Sequence, residues 1–581
     1  MTQNGRTKDS RLALRLTWII LCFSLWTPGF AQTIDFDRSV LVLTGASSIE
    51  DLDEEVMEKY CSLASHPIRL NIAGETRMVD SGLFSRYQAA SLMDYRKRNG
   101  DIMSVMELAL LDGFDENYAR ALSQFVSFET SGSLAGTSGA PVELEVLNRI
   151  SAKRQNDSEE WAYASKIRAG DSERWTLGIA AKSGYTDEKW PPEALSGSVA
   201  LYGRGGRWSI VAGDFNTRFG QGLLKWSGFS LSGVQSAASF ARHPSGISPA
   251  WTLSPSSAGR GVAGNVRAGR VVLSAYCCHD FSCGTNMTVL VRYGQLGLSA
   301  VSSGRSSVDW RWSFGKLDFF GELADDFRSN AYAALTGITY NPDYQVKMSA
   351  LVRCYSPSYD GSGAGAFRSS TKSSDEHGAA LALDYKKLVL TSDMAFHPSN
   401  GKSQHKAVLK YSPQISEHCE LGFRLTSRFR PEDTRSWRNE FRAEMTCSRP
   451  SGFLLRGCGD ICKCSDVSML SFFEAGYNLE HGAKALSAFV RTTFFKVDRW
   501  DDRLYIYERD VQGAFSVPAY YGRGWSASAV LTCKWRGRAA LNLRISALEY
   551  PWMAEKKPGK AELKVQLLLW NLKFHSRSDV G

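Results

Sequence analysis

The sequence predicts an α plus all-β chain: a small N-terminal helix-hairpin-helix module over residues 49–128, followed by a large antiparallel transmembrane β-barrel over residues 143–581. Three observations carry this. From Glu143 almost to the last residue, apolar and polar residues alternate with period two between polar or Gly-rich breaks. Beyond Ala31 no run of eighteen apolar residues occurs, which excludes membrane-spanning helices and leaves strands, whose alternation never raises a hydropathy window. Helical periodicity is confined to residues 49–128.

Residues 1–31 read as a signal peptide. Arg6, Lys8, Arg11 and Arg15 form a basic segment, Leu16 to Trp26 an apolar stretch too short to span as a helix, and Gly29-Phe30-Ala31 a small-residue cleavage site, so the mature chain is expected near Gln32. Charge then divides the remainder. Residues 50–128 hold eight Lys/Arg against fourteen Asp/Glu, a net of −6; residues 143–581 hold fifty-six against forty-two, a net of +14. The two parts are different objects electrostatically.

Within the module, Ser48 is placed to cap a helix bearing Ile49, Leu52, Val56, Tyr60 and Leu63, with acidic residues in its first turns where the helix dipole favours them. Pro67 ends it. A second helix is expected from Arg86 to Asn99, with Gly100 as its stop. Ser104-Val105-Met106-Glu107 forms a capping box that opens a short helix to Leu111. After the Asp112-Gly113 turn, Asp115 caps a last helix packing Tyr118, Leu122 and Phe125.

Short helices joined by tight turns, with LMDYRKRNGDIMSVMELALLDGFDENYARALSQFVSF at their end, resemble the helix-hairpin-helix domains related to periplasmic competence DNA receptors. The resemblance implies that the hairpins around Gly82 and Gly113 present backbone N–H groups to DNA phosphates, with Arg96, Lys97 and Arg98 as a basic patch. Asp115 stands where that family has its second hairpin glycine and would repel a phosphate. Residues 67–128 carry seven basic against eight acidic residues, so the charge balance disfavours nucleic acid and favours a structural or protein-facing module.

A flexible linker follows over residues 129–142. Its core, Thr130 to Pro141, spans roughly 19 Å root-mean-square, enough to hang the module beneath a barrel in the periplasm or tuck it partly into the mouth. The barrel's best-marked hairpin is SVALYGRGGRWSIVAGDFNTRFGQGLLKW from Ser198 to Trp226. Val199, Leu201, Trp208, Ile210 and Ala212 share one face, and Ser209, Val211 and Gly213 the other, across a turn at 203–207. Breaks such as Lys386-Lys387 are short, and others such as Ser356 to Asp375 are long and polar. Short turns on one rim and long loops on the other is the outer-membrane pattern. At roughly 18 residues per strand and connection, residues 143–581 allow about 24 strands, and the sixteen Trp, twenty-two Tyr and twenty-nine Phe supply interfacial girdles.

Gly213-Asp214-Phe215, Phe219-Gly220-Gln221-Gly222-Leu223, Gly259-Arg260-Gly261-Val262, Tyr505 to Glu508 and Pro518 to Gly524 resemble large uncharacterised Gram-negative outer-membrane proteins that join such a helical module to a barrel. That resemblance implies an outer-membrane location and no settled activity. The Gly220-Gln221-Gly222 turn would let the backbone bend away from the wall, and Asp214 with Arg218 is expected to pair in a polar lumen. The final strand, Ala561 to Phe574, should turn Leu563, Val565, Leu567 and Leu569 to lipid and Glu562, Lys564 and Gln566 to the lumen, pair with the first strand, and offer Phe574 as the aromatic signal read by the barrel-insertion machinery.

Other signals lead away from chemistry. Gly259, Gly261 and Gly264 spell a dinucleotide fingerprint, but strand alternation follows where a helix is needed. Eleven cysteines of the mature chain form no regular disulfide framework, and Cys458, Cys462 and Cys464 match no common zinc spacing, which leaves a loop disulfide open there. No cofactor, metal site or enzymatic activity is expected. Three functions stay open: a pore or transporter with a basic lumen for anionic solutes, an adaptor whose module docks a periplasmic protein, and DNA passage across the outer membrane. Outer-membrane lipid is the partner common to all three.

Overall fold

The computed structural model describes residues 32–129 and 142–574, apart from 157, 172–173, 187–189, 204–205, 232, 234, 255–256, 344, 432–436, 450, 536 and 554–556. The signal-peptide and most of the linker assignments therefore lie outside the described residues.

Six helices form the module: α1 Gln32–Thr44, α2 Glu54–Ser65, α3 Glu75–Asp80, α4 Arg86–Asn99, α5 Val105–Ala109 and α6 Glu116–Leu122. The module begins earlier than the expected residue 49, since α1 packs Val40 and Phe36 into its core. The first expected helix starts later. Residues 49–51 are a single 3-10 turn, and Asp53, not Ser48, caps α2 by accepting from the Val56 N–H. The bounds of α4 are as read, with Gly100 at its end. The reciprocal capping box belongs to Ser85 and Gln88; at α5 only the Ser104 half forms, because the Glu107 carboxylate accepts from the Met103 N–H instead. A parallel pairing of Ile68–Arg69 with Val126–Ser127 ties the two ends of the module around buried Leu70, Met78, Phe84, Leu92, Leu122 and Phe125.

Twenty-four antiparallel strands close a barrel of the outer-membrane type. The last strand, Lys560–Phe574, pairs with Ala539–Glu549 on one side and with the first, Val142–Gln155, on the other, so no edge is left with unpaired backbone groups. Alternation sets the faces. Val199, Leu201, Trp208 and Ile210 point outward, 40–48% exposed, whereas Ser209 and Val211 on the same hairpin are buried. Along the last strand Leu563, Val565 and Leu567 are outward, while Gln566 is buried against Arg149. Outward Trp208, Tyr293, Phe314, Tyr340, Tyr385, Tyr411 and Trp535 sit beside the turns of one rim; Tyr332, Phe396, Trp437 and Phe494 lie toward the other. These two belts match the depth at which amphipathic rings settle in a bilayer.

The rim that carries the barrel's ends, Val142 and Phe574, has connections such as 269–270, 292–293, 315–316 and 386–387. The opposite rim carries the long ones. Three of these, 219–258, 356–375 and 498–521, turn inward rather than away from the membrane, as their contacts with lumen-facing side chains show. The fingerprint-like glycines 259, 261 and 264 lie in strand Gly259–Ala268.

Cysteines depart from expectation. Cys277–Cys283 and Cys419–Cys447 are disulfides between residues opposite each other on neighbouring strands, while Cys458, Cys462 and Cys464 are free. Cys458 and Cys462 alternate inward on strand Phe453–Lys463 and are buried in a small apolar cluster with Leu470 and Ile506, so this is packing and not a loop.

Candidate functional site: the plugged lumen

The acidic module lies inside the basic barrel. Glu50, Glu54 and Glu58 recur at a spacing of four and reach three places on the wall. Glu50 accepts from Arg442 at 2.7 Å. Glu54 accepts from Lys182 at 2.8 Å and lies 3.5 Å from Arg149. Glu58 pairs with Lys166 at 2.5 Å, with both side chains buried. On another side of the module Arg86 donates to Ser274, Asn286 and Thr288 of two adjacent strands, at 2.6, 3.2 and 2.8 Å. Asp115 takes Lys347 at 3.2 Å, and Glu75 takes Arg267. Contacts from strand Val142–Gln155 round to Trp437–Ser448 show that the module reaches the wall on several sides of the lumen and does not hang below it.

The inward loops hold it from the other side. Ser47 donates to Gln235 at 2.5 Å, Ser254 to Glu54 at 2.6 Å, the Leu253 N–H to Glu58 at 3.1 Å and the Tyr507 N–H to Glu50 at 3.2 Å. Burial alone would raise the Glu50 carboxyl, but Arg442 and Arg424 outweigh it and hold Glu50 well below the ordinary carboxylate range. Burial would raise Glu54 as well, but Lys182 and the hydrogen bonds from Lys182 and Ser254 lower it. Lys59 goes the other way: burial and then Arg218 push its ammonium down to about 7.

Between module and wall lies a cavity of about 1460 Å³. Its lining from the barrel includes Arg218, Arg242, Arg311, Lys347, Lys386, Lys387, Lys410, Arg424, Arg442 and Arg456, against Asp318, Asp343, Asp384, Glu420 and Glu444. The balance favours anions, and low-dielectric walls strengthen that preference.

Gly82 borders the cavity with φ +65°, and a Cβ there would strike the Lys59 ammonium. Gly113 is exposed at the second hairpin with φ +88°, its carbonyl accepting from Gln88. Asp115 beside it caps α6 and is claimed by Lys347. Arg96 spends its guanidinium on the Ala73 and Asn71 carbonyls, Arg98 pairs with Asp94, and Lys97 is exposed. The expected pair of Asp214 with Arg218 does not form. Asp214 accepts from Arg260, opposite it in register, and from the Gly197 N–H, whereas Arg218 donates to the Ser227 carbonyl and lies against Trp226.

At Gly220-Gln221-Gly222 the chain leaves the wall. The buried Glu322 carboxylate accepts the Gln221 and Leu223 N–H groups at 2.7 and 3.0 Å, and a Cβ on Gly220 would meet that carboxylate at 2.8 Å. Phe574 closes the last strand opposite Val142. The wall partners Lys166, Lys182 and Arg442, the cavity cations Arg242 and Arg311 and the neutral His243 beside them were not singled out from sequence. The one available signal was the opposite net charge of the two parts.

No protein-family profile matches the chain, and no curated protein matches it. Among solved structures it is similar to Pseudomonas aeruginosa OccK11 (OpdR), at 12% identity over 75% of this chain and 96% of that one, with a TM-score of 0.29. It is also similar to the P pilus usher (PapC) translocation pore, at 8% identity, 76% and 100% coverage and a TM-score of 0.35. The E. coli P pilus tip assembly intermediate PapC-PapD-PapK-PapG matches at 9% identity, 77% and 63% coverage, with a TM-score of 0.36.

Proposed function

We propose that the chain is a non-enzymatic outer-membrane pore for small anions, kept closed by its own N-terminal module. The observation that carries this is the set of ion pairs Glu50–Arg442, Glu54–Lys182 and Glu58–Lys166, the last of them buried: the carboxylates of the module satisfy the cations of the wall. Withdrawing the module would uncover those cations to water, and a lumen lined by them would favour anions. The test is the reversal potential of a barrel lacking residues 32–129 in planar bilayers across a KCl gradient. Anion selectivity supports the reading; cation selectivity or no conductance defeats it.

A second reading, an adaptor that docks a periplasmic protein, is favoured by one observation. Met103, Met106 and Leu110, on and beside α5, stand 62%, 59% and 86% exposed. A partner recovered by cross-linking in cells with the native protein, and lost with Leu110→Ser, would favour it. DNA passage fits less well, since the hairpin at Gly82 is turned into the cavity and the one at Gly113 carries Asp115 beside it.

A further inference from the structure

One end of the cavity gathers cations that lack carboxylate partners. Arg311 lies on strand Arg305–Phe314, and its Nη1 meets Nδ1 of His243, from the inward loop 219–258, at 3.1 Å. Next to His243, Arg242 is 9% exposed. It gives Nη2 to the Leu231 carbonyl at 2.8 Å and keeps a buried Nε with no partner. The guanidinium groups of Arg242 and Arg218 lie 5.8 and 5.6 Å from the centre of the Trp226 ring, and the Lys59 ammonium and Arg218 Nη1 both border the space beside Gly82. All of these residues line the cavity.

The carboxylates around them either bind other groups or face Arg218 from beyond ion-pair distance. Glu55 and Asp53 face Arg218 from α2 and its cap. Asp115 holds Lys347, and Asp318, on the strand beside Arg311, accepts from Ser313. Among the described residues no carboxylate lies within ion-pair distance of Arg218, Arg242 or Arg311. Elsewhere in the lumen the rule is the reverse: Arg353, Arg442, Arg491 and Arg544 each pair with one to three carboxylates. Arg242 is buried and Arg218 and Arg311 are partly buried; a cation drawn from water without a counter-charge is costly, and that cost is offset when a ligand brings the charge. The same surroundings act on the neighbouring groups. Burial, then Arg311, Lys347 and Arg242, push His243 down to about 3, so it stays neutral and accepts from Arg311.

We propose that Arg218, Arg242 and Arg311 form a binding site for a small multivalent organic anion, a phosphate ester or a di- or tricarboxylate, seated in the cavity beside Trp226. Guanidinium groups donate paired N–H bonds that match carboxylate and phosphate oxygens alike. The site deepens the anion-pore reading, because it would hold the solute on the plugged side of the lumen, yet its test does not need the pore to open.

The experiment is isothermal titration calorimetry of the full chain in detergent, with citrate and inorganic phosphate as probes. The native protein should bind at least one of them saturably, with a Kd of about 1 mM or tighter. Arg242→Gln and Arg311→Gln should each weaken binding about tenfold, as expected for loss of a charge-assisted hydrogen bond. Arg292→Gln, on an exposed turn outside the cavity, should leave it unchanged. Citrate alone binding assigns a carboxylate ligand, and phosphate alone a phosphoryl one. Heat-modifiable migration on a detergent gel reports the fold of each variant; Arg311→Gln removes only the bond to His243 and keeps the test open if Arg242→Gln fails to assemble. No saturable binding by either probe, or equal affinity in native, Arg242→Gln and Arg311→Gln proteins, overturns the site. A protein that binds citrate but never conducts would reject the pore and keep the site; one that conducts without binding would do the opposite.

Discussion

Arg442 joins three parts of the molecule through one guanidinium. Its Nη1 donates to Glu50 of the module at 2.7 Å, its Nε and Nη2 to Asp460 on the adjacent wall strand at 2.9 and 2.7 Å, and Nη2 also to the Tyr505 carbonyl of an inward loop at 2.9 Å. Replacing Arg442 by Gln leaves the buried Asp460 and the partly buried Glu50 without their shared cation and should cost on the order of 3–5 kcal/mol. The double change Glu50→Gln with Arg442→Gln should cost less than the sum of the two single changes. Urea titrations followed by tryptophan fluorescence measure all three, and additivity would show that the pair contributes nothing of its own.

Lys59 predicts how docking depends on pH. Its pKa falls from an ordinary 10.5 to about 7 in the docked module, because burial and Arg218 penalise the charged amine. That penalty is full below about pH 7 and fades as pH rises toward 10.5, so docking should tighten over this window. Lys59→Met should strengthen docking at pH 7 and flatten the dependence. Tryptic release of the module at pH 7 and pH 9 reads this out: a variant released faster than the native protein at pH 7 would contradict it.

Closure of the sheet depends on the last strand. Residues 560–574 pair along their length with 539–548 and 142–155, so deleting 562–581 would leave two facing rows of backbone N–H and C=O groups in hydrocarbon, at several kcal/mol per group. The deletion should abolish outer-membrane insertion, and deletion of 576–581 alone should not. Protease accessibility of the long loops on intact cells checks both; normal loop exposure in the longer deletion would show that closure does not need this strand.

Much of the barrel was legible because a period of two fixes which face of a strand meets lipid. Val199, Leu201, Trp208 and Ile210 could be assigned outward, and Glu562 and Lys564 inward, with no knowledge of neighbours. What depends on register was not. Asp214 was matched with Arg218, four residues along the same strand and thus roughly 13 Å away, when the residue opposite it is Arg260. The disulfide Cys419–Cys447 depends on the same missing information.

The lumen's occupant was hidden for a different reason. Glu50, Glu54 and Glu58 read locally as acidic residues favoured near a helix N-terminus, and their wall partners stand 392, 128 and 108 residues away in sequence. Helix-dipole and wall interactions favour the same residue type, so only the opposite charge of the two parts, −6 and +14, pointed to the docking.

Single-channel recording of the full chain with Glu50→Gln, Glu54→Gln and Glu58→Gln combined shows whether carboxylates of the module hold the lumen shut against its own cations. The native protein should be closed for most of the record, and the triple variant should show frequent openings in the same bilayer and salt. A triple variant as silent as the native protein, while a barrel lacking residues 32–129 conducts, would show that these carboxylates are not what keeps the module in place.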